Sequence, residues 1–240
     1  DGINVTLPHK VAVFDFLECC SPQARAAGAV NTVVFNKQKL EGHNTDIAGL
    51  RASLEQSLSP SALKGIAIIG TGGAARAAVI ALAEMGATAF QIFGRTIERA
   101  DAFITSLEQS IALSQLCLPQ LTFTAFAVDA QEKFSAAVEH CQLVINATSI
   151  GHLDNEVPPW LEPMFMALPK AVFVQDLVYA KNSEPTVCCR LAQKYQLGNT
   201  DGKAMLVHQA RFAFALFAGQ LPPYEVGLNA LLAACAKANS

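Results

Sequence analysis

Three polar clusters near the start of the chain carry side chains that could take part in proton transfer. They occupy residues 4–10, 29–32 and 42–46. Each cluster also has an ordinary structural explanation. Thr6 stands at a plausible helix start, Asn31 suits a hairpin turn, and Asp46 can cap the helix that follows it. Residue type and spacing leave both interpretations open.

Lys10 and Asp46 are the candidates for a lysine–carboxylate pair that moves a proton. When a secondary alcohol is oxidised, a group must take the hydroxyl proton as the hydride leaves. A lysine whose pKa is lowered by partial burial can do this. A neighbouring carboxylate can orient the lysine and the hydroxyl, although its charge raises the lysine pKa. Spacing along the chain does not show that the two side chains meet.

A glycine-rich turn that begins at Gly70 has the features of a dinucleotide-binding loop. Gly-Thr-Gly-Gly-Ala-Ala follows an apolar run and opens an alanine-rich segment. It fits the pattern G-x-G-x-x-[GA]: Gly70 allows a tight turn, Gly72 lets the backbone approach a pyrophosphate, and Ala75 lets helix and strand pack closely. The N–H groups at the helix start, where Gly73 and Ala74 lie, can meet the phosphates. A tight turn without a ligand is the alternative.

The end of the next predicted strand indicates which dinucleotide is bound. NAD sites usually place an acidic residue there, where it bonds the ribose hydroxyls. This chain has Arg95 and Thr96 instead, followed by Arg99. A guanidinium can hold a 2′-phosphate bidentately, whereas a carboxylate would repel it. NADP is therefore favoured over NAD as the cofactor. The alternative is that Arg95 and Arg99 are solvated charges at a helix start.

The segments that would position these residues alternate between short apolar runs and helical patterns. Strands are predicted at residues 65–70, 90–93, 123–128, 143–145 and 172–174, and helices at 74–85 and 98–108. Gly86 is placed to end the first helix. Residues 57–64 have the composition of a connection. This rhythm predicts an α/β fold with a Rossmann-like, doubly wound parallel sheet covered by helices on both faces.

The two ends of the chain have a different pattern and are predicted to form an α/β substrate-binding domain. The first part should hold a strand at 2–6, a helix at 9–17 and a hairpin at 29–43. From Met205 the pattern is helical, and Phe212, Phe214 and Phe217 are expected to pack internally, with packing against a partner as the alternative. The predicted domains are residues 1–45 with 206–240 for the substrate, and residues 46–205 for NADP.

Composition excludes several functional classes. Hydrophobic residues make up 52% of the chain and charged ones 15%, which supplies packed cores and argues against disorder. A net charge of -3 gives no electrostatic footprint for nucleic acid, and no apolar run could span a bilayer. The seven cysteines lack C-x-x-C spacing, so no metal is expected. Reduced thiols in the cytoplasm are the simplest interpretation.

In their order along the chain, these motifs resemble successive motifs of the shikimate dehydrogenase family. The resemblance spans nearly the whole chain and rests on residues 4–10, 28–32, 42–46, 72–76, 95–96, 146–148, 176–179 and 201–209. It implies the reversible, NADP-dependent reduction of 3-dehydroshikimate to shikimate, in chorismate and aromatic amino acid biosynthesis. It also implies a substrate domain joined to a Rossmann-like domain, with the active site in the cleft.

The resemblance further implies a role for each matched residue. Lys10 resembles the family's catalytic lysine and Asp46 its aspartate partner. The residues that resemble substrate-binding side chains are Thr6, Asn31, Tyr179 and Gln209. The residues that match the cofactor site are Gly70, Gly72, Gly73, Ala74, Ala75, Arg95, Thr96, Arg99, Asn146, Ala147, Thr148 and Gly202.

The chain departs from the family pattern in several places. The family carries a Ser-x-Ser motif near its N-terminus, which binds the substrate carboxylate, and this chain starts after the place where that motif should lie. We therefore expect either a fragment of a longer product or a truncated homologue with a compromised site. Gly94 replaces an asparagine that many relatives have before Arg-Thr, and Ala204 replaces a glycine near the nicotinamide. The methyl group of Ala204 predicts altered kinetics, and Gly94 removes one possible contact to the adenosine end.

Two other functions stay open at this point. A relative that uses quinate or another cyclohexanecarboxylate would differ in the details of the substrate pocket. A non-catalytic homologue would bind NADP without turnover. In each case the expected partner is a small molecule, with no nucleic acid and no membrane, and the chain would act as a monomer or homodimer.

Overall fold

The computed structural model describes residues 2–36, 39–58, 63–152, 156–180 and 184–238. The strands are β1 (Gly2–Asn4), β2 (Cys19–Cys20), β3 (Thr32–Asn36), β4 (Lys39–His43), β5 (Ile66–Ile69), β6 (Ala89–Gly94), β7 (Thr122–Ala127), β8 (Leu143–Asn146), β9 (Phe173–Asp176) and β10 (Gly198–Thr200). The α-helices are α1 (Pro22–Ala27), α2 (Thr45–Glu55), α3 (Gly73–Glu84), α4 (Ile97–Ser114), α5 (Gln131–Val138), α6 (Leu161–Ala167), α7 (Val187–Lys194), α8 (Lys203–Ala218) and α9 (Tyr224–Ala238).

The larger sheet has six parallel strands in the order β7-β6-β5-β8-β9-β10. This is the order of a doubly wound Rossmann sheet, with its topological switch point between β5 and β8. The predicted fold class is confirmed. At a switch point the loops after neighbouring strands diverge, which opens a crevice at the carboxyl edge of the sheet.

Helices cover both faces of this sheet, and β5 shows why its sequence is a continuous apolar run. Ile66 and Ile68 pack into a core with α2, α3 and α4, whereas Ala67 and Ile69 pack into a second core with α5, α6 and α7. Because side chains alternate between faces and both faces are buried, every position of the strand must be apolar.

The smaller sheet has four strands in the order β1-β3-β4-β2, and β3 and β4 form the predicted antiparallel hairpin. Helices α2 and α8 pack closely against each other, and α8 also contacts β3. The predicted domain boundaries fall in the first turns of α2 and α8, and the division into domains stays a prediction. No helix in the described ranges has the length and apolar character needed to cross a membrane.

Local structure differs from the sequence prediction in several segments, and the strand predicted at 2–6 ends at Asn4. The helix predicted at 9–17 is wrong, because only a 3-10 helix at Ala12–Phe16 forms. The Lys10 carbonyl accepts a hydrogen bond from Val30 N rather than from Phe14 N, and Phe14 N bonds to Val11 O instead. Helix α4 is longer than predicted and continues to Ser114. Of the predicted connection at 57–64, residues 59–62 lie outside the described part.

Candidate active site

A cleft of about 1010 Å³ lies at the carboxyl edge of the six-stranded sheet. One wall is formed by the loops that follow β5, β6, β8 and β9. The opposite wall comes from the segment after β1, the start of β3, the first turn of α2 and one face of α8. The cleft therefore spans the switch point, which is where ligands bind in sheets of this kind.

Lys10 and Asp46 meet in this cleft, although they come from a loop and from a helix distant in sequence. Lys10 Nζ lies 2.7 Å from Asp46 Oδ2. Both side chains are largely withdrawn from water, with exposed fractions of 16% and 7%. Partial burial strengthens a charge-assisted hydrogen bond of this length, and it leaves the ammonium accessible from the cleft.

Asn31 is buried beside this pair and fixes the carboxylate from the other side. Its Nδ2 donates to Asp46 Oδ1 at 2.9 Å, while its Oδ1 accepts from Thr45 N at 2.8 Å. The main chain contributes a further link, because Val5 N donates to Asn31 O. Asn31 therefore holds together the loop after β1, the start of β3 and the first turn of α2.

Thr6, Tyr179 and Gln209 also line the cleft, each on a different segment. Gln209 Oε1 lies 3.5 Å from Asn31 Nδ2, which brings α8 to the lysine–aspartate pair. Tyr179 follows β9 on the opposite wall, where His152 packs edge-on against its ring at 6.3 Å. The structure thus brings every residue of the predicted substrate set to one cleft.

The glycine-rich turn lies between β5 and α3, and its residues have different surroundings. Gly70 has φ +114°, a conformation that favours glycine, and a Cβ there would lie 2.9 Å from Ala147 O. A Cβ at Gly72 would meet no described atom within 4 Å, so open space lies in front of it. Ala74 lines the cleft, whereas Ala75 is buried in the core between α3 and the sheet.

Arg95 and Arg99 line the far end of the same wall, and both are exposed. Thr96 stands between them as the N-cap of α4, where its Oγ1 accepts from Arg99 N. Two exposed guanidinium groups at the rim of the cleft can reach an anion held beside the turn after β5. Thr96 caps the helix start and is not among the residues that line the cleft.

Asn146 supports the loop after β8 rather than lining the cleft. Its Nδ2 donates to Asp176 Oδ1 at 2.8 Å, and its Oδ1 accepts from Thr148 Oγ1 at 2.6 Å. Ala147 and Thr148, the next residues, do line the cleft. Sequence resemblance placed Asn146 at the cofactor, and the structure places its side chain behind the loop.

Asp176 is fully buried at the end of β9, and burial raises its pKa to about 6. Three neutral donors oppose that rise: Asn146 Nδ2, Val178 N and Thr186 Oγ1. Thr186 is the N-cap of α7. The carboxyl group of Asp176 therefore joins the ends of β8 and β9 to the start of α7, behind the wall of the cleft.

The other motif residues of this region have mainly packing roles. A Cβ at Gly202 would lie 2.4 Å from Leu177 O, so only glycine allows α8 to start this close to the strand end. Gly94 is also confined, because a Cβ there would lie 2.9 Å from Thr96 O. In the segment around Ala204, the residues that line the cleft are Gly202, Met205 and Leu206.

Arg76 of α3 is buried and joins helices of both parts of the chain. Its guanidinium donates to Ala27 O at the end of α1 and to Ser106 Oγ in α4, and it lies over the Phe103 ring. Burial lowers the pKa of Arg76. Its contacts lie behind the turn after β5, away from the cleft.

Sequence reasoning missed one face of α8 as part of the cleft. Its lining residues recur at helical spacing: Met205, Leu206, Gln209, Ala210, Ala213, Phe214 and Phe217. The prediction that Phe214 packs internally is wrong, because its side chain is 52% exposed. The four-residue period that includes Gln209 was a signal that could have identified this face.

The arrangement can accept a proton at one wall and bind a polyanion at the other. The lysine–aspartate pair supplies a donor and an acceptor, and the start of α3 supplies main-chain N–H groups. The aromatic and apolar residues between them can exclude water from a ligand that spans both walls.

Comparisons with known proteins agree with this geometry. A family profile described as the shikimate dehydrogenase substrate binding domain matches residues 1–33. The shikimate dehydrogenase (NADP(+)) of Magnetococcus marinus is 37% identical over 228 residues, which cover 94% of this chain and 74% of that relative.

Solved structures have the same fold over most of their length. Shikimate 5-dehydrogenase from Thermus thermophilus, in complex with NADP(H) and shikimate, is 31% identical with a TM-score of 0.76, and the match covers 97% of this chain and 78% of that one. Quinate dehydrogenase from Corynebacterium glutamicum, in complex with NAD, is 27% identical with a TM-score of 0.80, over 97% and 77% of the two chains.

Proposed function

The chain belongs to the shikimate dehydrogenase family, and we propose that it catalyses the reversible, NADP-dependent reduction of 3-dehydroshikimate to shikimate. Its biological role would then lie in chorismate and aromatic amino acid biosynthesis. A cytoplasmic location agrees with its seven free cysteines, and the chain would act as a monomer or homodimer. In our proposed division, residues 1–45 with 206–240 bind the substrate and residues 46–205 bind NADP.

In this proposal Lys10 moves the proton. During reduction the Lys10 ammonium donates a proton to the carbonyl oxygen at C3, which becomes the hydroxyl of shikimate. During oxidation the neutral amine takes that proton back. Asp46, 2.7 Å from Lys10 Nζ, orients the lysine, and Asn31 holds the other oxygen of Asp46 at 2.9 Å. These bonds orient Lys10 before the substrate binds.

The remaining polar side chains of the cleft would orient the ring of the substrate. Thr6 and Gln209 lie on the same side as Lys10, and Asn31 connects Gln209 to the Lys10–Asp46 pair. Tyr179 lies on the opposite wall, where it can contact both the substrate and the nicotinamide. Hydrogen-bonding groups on both walls suit a small molecule with several hydroxyls.

The residues of the other wall fit NADP. The open space in front of Gly72 and the N–H groups at the start of α3 suit a pyrophosphate, and Arg95 and Arg99 suit the adenosine 2′-phosphate. Bound NADPH supplies the hydride for the C3 carbonyl. Ala147 and Thr148 line the same wall in the loop after β8, and Asn146 fixes that loop through its bonds to Asp176 and Thr148.

One observation carries the proposal: the Lys10–Asp46 pair and the open turn after β5 face the same cleft. The test is NADP reduction by this chain with shikimate, followed by NADPH absorbance, with NAD and quinate in parallel. Turnover with shikimate and NADP is the expected result.

Other outcomes of the same assay would identify the alternatives. Faster turnover with quinate would identify the chain as a quinate dehydrogenase. The likeness to quinate dehydrogenase is the reason to test this alternative. NADPH binding without turnover of either acid would contradict the proposal and identify a non-catalytic homologue.

A further inference from the structure

Gly73 lies directly against the side chain of Lys10. Gly73 is the first residue of α3 and is buried. A Cβ built on it would lie 3.2 Å from Lys10 Cβ and 3.5 Å from Lys10 Cδ. Carbon atoms in ordinary contact are about 3.5–4.0 Å apart, so the first distance is too short for a methyl group unless the lysine moves.

The neighbouring glycines of the turn have other reasons to be glycine. Gly70 has a positive φ, which a residue with a side chain rarely adopts. Gly72 faces open space, so a side chain there would meet only a bound ligand. Gly73 lies in α3, and a side chain there would meet other residues of the chain rather than open space. The nearest atom to a Cβ at Gly73 belongs to Lys10.

Lys10 has little freedom to move away from Gly73. Its carbonyl is bonded to Val30 N at 2.8 Å, and its Nζ is bonded to Asp46 Oδ2 at 2.7 Å. Ala29 lies beside Gly73 as well, and its Cβ would be 3.9 Å from a Cβ at Gly73. The aliphatic stem of the lysine is therefore held at both ends and passes over the first turn of α3.

We propose that Gly73 is a positioning residue for Lys10, so that the first turn of the phosphate-binding helix sets the place of the lysine beside Asp46. This inference rests on the proposed function for the role of Lys10. It gives Gly73 a purpose that differs from that of Gly72 in the same motif. The lack of a side chain at Gly73 leaves room for the stem of Lys10. Its main chain belongs to the start of α3, where a phosphate would bind.

The test compares Gly73→Ala with the matched variant Gly72→Ala. Alanine is a better helix former than glycine, so a methyl at the start of α3 does not by itself favour unfolding. Thermal unfolding checks that both variants are folded. We expect Gly73→Ala to lower kcat roughly 10- to 100-fold with little change in the KM for NADP, because small misplacement of a reacting group has effects of this size. Gly72→Ala should chiefly raise the KM for NADP.

Two further readouts distinguish positioning from a loss of structure. The pH profile of kcat should change in Gly73→Ala, because the lysine no longer lies at the same distance from Asp46, and it should keep its wild-type form in Gly72→Ala. Acetylation of Lys10, measured by peptide mass spectrometry, should be several-fold faster in Gly73→Ala than in the wild type. A Lys10 side chain that has moved away from Asp46 is no longer held in the charge-assisted hydrogen bond that hinders its reaction.

The acetylation rate needs no turnover, so it separates this inference from the proposed function. If the wild type does not oxidise shikimate, the proposed function fails, and the acetylation comparison still decides whether Gly73 positions Lys10. Unchanged acetylation of Lys10 in Gly73→Ala would overturn the inference. An effect of Gly73→Ala on the KM for NADP alone would overturn it too.

Discussion

On one wall of the cleft, Lys10, Asn31, Asp46 and Gln209 come from four separate segments and are connected to one another by hydrogen bonds. On the other wall, the residues after β5 are consecutive in sequence, and their N–H groups and the space before Gly72 are open to a ligand. The first wall (the substrate wall) is assembled by tertiary contacts, whereas the glycine-rich turn of the second (the nucleotide wall) follows from one strand, one turn and one helix.

Asp46 and Asp176, which are both buried, show how the partners of a buried carboxylate differ between the two walls. Asp46 faces the ammonium of Lys10 at 2.7 Å, so its negative charge has a cationic partner. Asp176, behind the nucleotide wall, accepts hydrogen bonds from three neutral donors, and burial raises its pKa to about 6. A buried charge is tolerated when it is paired and hydrogen-bonded, and it is costly when it has no charged partner. The charges of Lys10 and Asp46 face the cleft, where they can take part in proton transfer. The carboxyl group of Asp176 lies behind the nucleotide wall, where it joins structural elements.

Lys10→Met gives the largest expected effect and tests whether the two walls act separately. Methionine keeps most of the length of the stem and removes the proton donor, so kcat for shikimate oxidation should fall roughly 10²- to 10⁴-fold. The affinity for NADPH, measured by fluorescence titration, should stay close to that of the wild type. Lys39→Met, at an exposed lysine of β4, is the control. A parallel collapse of NADPH affinity would show that the walls are not independent.

Asp176→Asn tests the unpaired buried charge through the pH dependence of stability. The pKa of Asp176 is raised from 3.8 to about 6, so between these values the folded protein holds a proton that the unfolded chain releases. The stability from this proton is complete below the unfolded pKa and is lost as pH rises through the folded one. The loss is about 1.4 kcal/mol per pH unit, or about 3 kcal/mol in all.

The asparagine variant cannot ionise, so it should lack this part of the slope. The free energy of unfolding, from urea titrations at several pH values, should therefore rise in the variant relative to the wild type as pH increases through this window. Asp129→Asn, at an exposed aspartate, controls for the loss of one charge. A difference between variant and wild type that does not change with pH would contradict the raised pKa.

Arg95→Ala gives the smallest expected effect, because the arginine is exposed at the rim of the nucleotide wall. Loss of a hydrogen bond to a charged group costs about 1.5 kcal/mol at the low end, so kcat/KM for NADP should fall roughly tenfold. The value for NAD should change little, since NAD lacks the 2′-phosphate. Arg25→Ala, at an exposed arginine outside the cleft, is the control. Equal losses with both cofactors would remove Arg95 from the phosphate site.

Prediction from sequence succeeded where structure is local. Ile66 to Ile69, the glycine turn and the helix ended by Gly86 form one strand–turn–helix unit, and the structure has this unit. The helix predicted at 9–17 failed because Val30 N takes the carbonyl of Lys10, a partner twenty residues away in the chain. For Phe214, the helical period that includes Gln209 was visible in the sequence, but how deeply each side chain of that face is buried depends on packing, and Phe214 is 52% exposed.

The sequence by itself determined the doubly wound fold, the identity of the family and the residue types of the candidate site, because strand and helix periodicity, glycine turns and polar motifs are properties of neighbouring residues. Only the tertiary structure decided that Lys10 reaches Asp46, that Asn31 holds that carboxylate, and that Gly73 lies against the lysine stem. It also decided that the Asn146 side chain bonds to Asp176 and Thr148. Contacts between distant segments depend on how helices and sheets pack, and hydrophobic packing acts on whole surfaces that no short motif encodes.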